Sequence, residues 1–257
     1  MNSIDLDRLL SGHVFAFLLI LSRIVAVMLL FPGIGESYVP ARLRMMVGVV
    51  LSFLLMEPLM PIIPPPPADT AELARMIVGE FVIGMFFGSF LRVALSALET
   101  AGAVAAMQTG LSNATILNPA LASESPLPSA FYSIVGVTLI FVTGLDHMLI
   151  RAMIQTYDIF PPGAALIPGD MAKTFVNAVN KSFVFGIELT APFMVAGLLM
   201  FIALGVMQRL LPQVSVFLVA LPAQVWGGLF LMATTVTTIM AVWLAYFDHT
   251  VAAFLNP

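Results

Sequence analysis

Apolar positions fall in six long runs along this chain, separated by short polar or proline-rich connections. The first covers His13 to Phe31, the second Met45 to Met56 and the third Met76 to Leu98. The fourth begins at Ala130, the fifth covers Phe183 to Met207, and the sixth, Val214 to Phe247, holds no charged residue. A helix needs about 20 apolar residues to cross a bilayer. In lipid every backbone group must be satisfied internally, so such runs predict helices. Alternation at period two is absent, which argues against a barrel. The second run is short for a crossing.

The connections divide the chain. PLMPIIPPPP, Pro58 to Pro67, predicts a stiff extended spacer. DIFPPGAALIPGD, Asp158 to Asp170, predicts a loop between the fourth and fifth runs. RLLPQ, with Arg209, Pro212 and Gln213, predicts a tight turn. Pro192 and Pro222 lie at equal distances on either side of Met207. A proline inside a helix removes one hydrogen bond and kinks it. Residues 173–250 therefore read as one long helical hairpin kinked on both arms. Each arm, about 35 residues or roughly 50 Å, exceeds a hydrocarbon core of about 30 Å. The organisation expected is an N-terminal helical part, 1–170, and a C-terminal hairpin, 171–257, forming one structural unit.

Composition sharpens this. The 257 residues are 60% hydrophobic and 9% charged, whereas a soluble domain carries about 25% charged residues. The fold class expected is all-α, of the integral membrane type, with about six long apolar helices. The net charge of -4 leaves no basic footprint for nucleic acid. With no cysteine, disulfides and thiolate chemistry are excluded. The acidic start, MNSIDLDRLL, lacks the positive region of a secretory signal, so the first run is expected to stay uncleaved. Four basic residues at one set of span ends face five at the other. Ordinary multispan proteins favour the cytoplasmic side. The missing bias is what helices outside a free-standing bundle would show.

Charges inside the apolar runs are candidates for function. Arg23 sits in the first, Glu80 and Arg92 in the third, and Glu188 in the fifth. A charge at mid-helix costs about 2.5–3.5 kcal/mol on insertion scales. Such groups mark an ion or proton path, or they pair between helices, for example Arg23 with Glu80 or Glu188. Gly84 and Gly88 form G-x-x-x-G, which lets helices approach closely. Residues 107–129, MQTGLSNATILNPALASESPLPS, break the apolar pattern with small polar side chains, three prolines and no Lys or Arg. Catalytic signatures are missing: His13, His147 and His249 are scattered, and no nucleophile elbow, P-loop or H-E-x-x-H occurs. No enzyme activity, metal or cofactor is expected.

Three blocks carry a resemblance. Leu21–Val49 holds an arginine in the span, then F-P-x-x-G and P-x-R-x-R. Gln108–Thr115 reads Q-x-G-L-S-x-A-T, followed by Pro119. Phe201–Pro222 holds L-G-x-x-x-R-x-x-P-Q. Together, in this order over nearly the whole chain, they resemble the FliR family of export-gate subunits, found in flagellar and virulence type III secretion systems. LSRIVAV and GLSNAT are similar to the flagellar branch.

That resemblance implies a role for each singled-out stretch. Members of the family join FliP-like and FliQ-like membrane subunits in one hetero-oligomeric helical core. FlhB-like and FlhA-like export components act with it, in the bacterial inner membrane at the flagellar basal body. Unfolded flagellar export substrates pass through its pore. The stretch Met107–Glu124 would be a plug in that pore. Gly110, Ser112, Asn113 and Thr115 would allow non-helical backbone, Met107, Leu111, Ile116 and Leu117 would seal it, and Gln108 and Pro119 would belong to the same plug. Arg23, Glu80, Arg92 and Glu188 would pair between helices or subunits. The alternative reading is a small-solute or proton-coupled transporter. There Pro192 and Pro222 would mark broken helices around a midplane site.

Overall fold

The computed structural model describes residues 3–112, 126–164, 168–210, 213 and 216–255, without the side chains of residues 3–11, 217–219 and 255. All regular structure among these residues is helical. Helix α1 covers Ser3–Leu30 and α2 Ala41–Leu59, followed by a 3-10 turn, Met60–Ile62. Helix α3, Thr70–Gln108, is 39 residues long, about 58 Å at the helical rise. Then come α4 (Leu127–Val142), α5 (Leu145–Ile159), α6 (Pro168–Leu189), α7 (Ala191–Leu210) and the 40-residue α8 (Val216–Leu255).

Local chemistry sets the boundaries. Gly33, Gly110 and Gly144 take φ of 83°, 72° and 75°, a left-handed region that ends helices and that side chains with a Cβ avoid. Pro192 separates α6 from α7. It offers no N–H to the carbonyl of Glu188, and its ring crowds that oxygen. The chain breaks at Thr190, whose hydroxyl and N–H both bond the Ile187 carbonyl, at 2.6 Å and 2.9 Å. Helix α7 then restarts with Met194 N–H bonding the Thr190 carbonyl at 3.0 Å. Pro222, by contrast, stays inside the unbroken α8.

Four expectations change. The proline-rich spacer is shorter than expected, since Pro58 and Leu59 end α2 and Met60–Ile62 form its 3-10 turn. The second apolar run is not short as a helix: with its turn it extends over Ala41–Ile62, because Arg42, Arg44 and Glu57 are carried at the helix ends. The fourth run stops at Val142, and a separate helix, α5, succeeds it. Helix α5 is amphipathic, burying Leu149, Ala152, Met153, Thr156 and Tyr157 at helical spacing. The last helix continues past Phe247 through Asp248 and His249 to Leu255. Five helices are long and apolar enough to cross a membrane, or six if α4 and α5 count as one bent span.

The chain packs as two compact units, each assembled from separate segments: 1–93 with 144–178 and 251–257, and 94–143 with 179–250. In the first, α3 lies tightly on α1. A Cβ on Gly84 would strike the Arg23 carbonyl and sit 2.7 Å from Ala26 Cβ, and one on Gly88 would sit 3.0 Å from Leu30 Cβ. The G-x-x-x-G is a packing surface. Phe254 packs among Phe86, Phe87 and Phe90, with centroids 6.3, 5.3 and 4.8 Å away. In the second unit the fully buried Trp243 donates its indole N–H to the Ala94 carbonyl at 3.2 Å. Phe185 of α6 stacks on Tyr246 of α8 at 4.0 Å.

Large apolar side chains also stand exposed in rows. On α2 these include Met46, Phe53 and Leu54, on α7 Leu198, Leu199 and Ile202, and on α8 Trp226 and Phe230. Left in water, each forgoes about 1.5–3 kcal/mol of burial. Rows of exposed apolar side chains of this kind mark surfaces for lipid or another chain.

Candidate functional site

Two constellations hold the residues singled out by the sequence. The first lies in the 1–93/144–178 unit, around Arg23. Its side chain is fully buried. Arg23 Nε donates to Glu80 Oε2 at 2.6 Å, Nη1 to Thr156 Oγ1 at 3.3 Å and Nη2 to the Phe160 carbonyl at 2.8 Å. The guanidinium carbon stands 3.9 Å from the centroid of the Tyr157 ring. Glu80 lies one turn before Gly84 on the same face of α3. The missing Cβ that brings α3 onto α1 is therefore what delivers the carboxylate to Arg23. A buried charge is tolerated only when paired and hydrogen-bonded, and here Nε, Nη1, Nη2 and one flat face of the guanidinium are all engaged. Glu80, 1% exposed, also borders a cavity of about 400 Å³ with Arg75, Met76, Gly79 and Gly163.

Of the two acids open to Arg23, Glu80 is the one it meets. Glu188 stands exposed on α6 without an ion pair among the described residues. Arg92 donates to Glu36 Oε1 at 2.5 Å. Glu36 sits in the loop after α1, where Arg44 Nη2 holds the carbonyls of Glu36 and Val39 at 2.7 Å and 2.8 Å. Sequence reasoning missed Glu36, Thr156, Tyr157 and Phe160. A P-x-R-x-R downstream of F-P-x-x-G hints at the loop clamp, but nothing in the pattern brings α5 to Arg23.

The second constellation lies in the 94–143/179–250 unit, where α3 ends. Met107 is exposed and Gln108 partly so. Past them Gly110 turns left-handed, and Ser112 N–H folds back to the Ala106 carbonyl at 3.2 Å. Leu111 and Ser112 belong to that turn. Asn113, Thr115, Ile116, Leu117 and Pro119 lie outside the described residues. The helix end is seated against the last two helices. The Gln108 side chain lies against Gly197 of α7, and Thr109 against Gly228 of α8, leaving no room for a Cβ at either glycine. Gln224 of α8 donates its amide to the Gln108 carbonyl at 3.0 Å. Gln224 was also missed, although it is a lone amide in a charge-free apolar run. At the hairpin tip Arg209 occupies the last turn of α7, exposed, where a cation suits the helix dipole. Gln213 is exposed, and Pro212 lies outside the described residues.

No group of three or more His, Cys, Asp or Glu side chains placed to hold a metal occurs among the described residues. The arrangement pairs charges, packs helices closely and ends one long helix on a glycine-lined seat.

Comparison with known proteins agrees. Residues 14–250 match the family model described as bacterial export proteins, family 1. A flagellar biosynthetic protein FliR of Caulobacter vibrioides is 34% identical over 90% of this chain and 92% of its own length. One from Aquifex aeolicus is 27% identical over 98% and 100%. The Yop proteins translocation protein T of Yersinia pestis is 25% identical over 83% of each chain. With a match over nearly its whole length and helices built to cross a membrane, this chain belongs to the bacterial export proteins, family 1.

Proposed function

We propose that the chain is a non-enzymatic structural and gating subunit of the export gate of a bacterial flagellar type III apparatus, and that the stretch between α3 and α4 plugs the channel. The observation that carries the plug is the end of α3. A 39-residue helix stops at a left-handed glycine. From there to Leu127 small polar residues and prolines are interspersed with Leu111, Ile116, Leu117 and Leu121, without Lys or Arg, between apolar helices. A non-helical turn such as Gly110–Ser112 survives at membrane depth only when shielded by protein or lining a water-filled cavity. Apolar side chains in such a constriction block ions by excluding water. The absence of positive charge avoids trapping a passing polypeptide.

Family membership and the relatives named for flagellar biosynthesis and Yop translocation support export over solute transport. FliP-like and FliQ-like subunits would cover the exposed rows on α2, α7 and α8, with FlhB-like and FlhA-like components alongside. The site of action would be the inner membrane at the flagellar basal body, with the turn between α7 and α8 on the cytoplasmic side. Deleting Ser112–Pro119 tests the plug. The assembled complex should form and conduct small ions in proteoliposomes. Conductance equal to the parent complex would overturn the reading.

A further inference from the structure

The end of α3 is held by shape and by one directed bond. Gly197 and Gly228 supply the shape, giving up their Cβ atoms so that Gln108 and Thr109 can settle against α7 and α8. Gln224 supplies the direction. Only 5% exposed, it turns its amide N–H to the carbonyl of Gln108, the last residue of α3. Its amide also lies close on Gly110: a Cβ there would be 3.2 Å from Gln224 Cδ and 3.3 Å from Oε1. Gly110 is thus confined both by its φ of 72° and by the side chain above it. Gln224 Oε1 has no hydrogen-bond partner among the described residues, and Gln224 borders a cavity of about 210 Å³, shared with Thr109, Phe193 and Met200. Two residues earlier, Pro222 leaves the Leu218 carbonyl of α8 without its helical donor, which loosens the helix locally. The anchor stands two residues from that missing bond.

We propose that Gln224 is a positioning residue for closure: it ties the end of α3 to α8 beside Pro222 and keeps the channel shut by holding Gln108–Gly110 in place. This rests on the reading of the stretch between α3 and α4 as a plug. Its two halves separate experimentally. Thr109 is 5% exposed and the chain has no cysteine, so Thr109→Cys gives one protected thiol at the seated helix end. Gln224→Met keeps the length of the side chain and removes the donor. In the assembled complex the second substitution should raise the rate of thiol labelling by a small methanethiosulfonate reagent about tenfold, the scale of one lost buried hydrogen bond. It should also raise ion conductance. Unchanged labelling overturns the anchor. Raised labelling without conductance, in a complex that does leak when Ser112–Pro119 is deleted, overturns its role in closure. If that deletion is also silent, the plug reading fails, and the raised labelling still supports the anchor. Should Gln224→Met fail to assemble, Gln224→Leu serves instead, since it too carries no donor for the Gln108 carbonyl.

Discussion

Removing Arg23 should unseat the first unit by an amount that the geometry bounds. Arg23→Ala deletes the partner of Glu80, which is 1% exposed and bonded at 2.6 Å. Stranding one member of a buried pair costs about 3–5 kcal/mol. Protonation limits that cost, since neutralising an ordinary carboxylate at pH 7 takes roughly 3.7 kcal/mol. Lost bonds to Thr156 and the Phe160 carbonyl add about 1 kcal/mol each. The total, about 4–6 kcal/mol, should lower the melting temperature of the detergent-solubilised complex by on the order of 10 °C. The double variant separates the pairing from the loss of one side chain. Arg23→Met with Glu80→Gln removes both charges and leaves two neutral side chains of similar length in their place. The double variant should melt higher than either single substitution. Melting within about 2 °C of the parent for Arg23→Ala would refute the reasoning. So would a double variant no better than the singles.

Two glycines of α3 should respond in opposite directions. Gly84→Val drives a side chain into the Arg23 carbonyl and Ala26, and should abolish recovery of the folded chain. Gly79→Ala meets no atom within 4 Å and should raise the melting temperature, by up to about 1 kcal/mol in stability. Gly110→Ala meets both a left-handed backbone and the Gln224 amide. It should cost about 1–3 kcal/mol and raise ion conductance in the assembled complex.

The long helices were legible because their apolar runs are longer than any packing pattern can disguise. Proline gave a mixed signal. Pro192 ends a helix while Pro222 stays inside one, and local chemistry alone does not separate the two outcomes. Helix α5 escaped notice because its apolar positions are diluted by Asp146, His147, Arg151 and Asp158. Its apolar residues stand at helical spacing rather than in one unbroken run, so no long apolar stretch marks it. At the candidate site Arg23 announces itself as a charge in an apolar run. Its partners Thr156 and Phe160 lie more than a hundred residues away, and only the packed fold brings them in. Gln224 carries no charge, and its significance depends on where α3 ends.

The central claim is that this chain works only as one part of a hetero-oligomer, and native mass in mild detergent addresses it directly. The chain would be expressed alone, then together with the FliP-like and FliQ-like subunits of the same organism. Recovery in a large hetero-oligomer only on co-expression, with its exposed apolar rows protected from labelling there, is the predicted result. A stable monomer or homodimer in both cases would contradict the account.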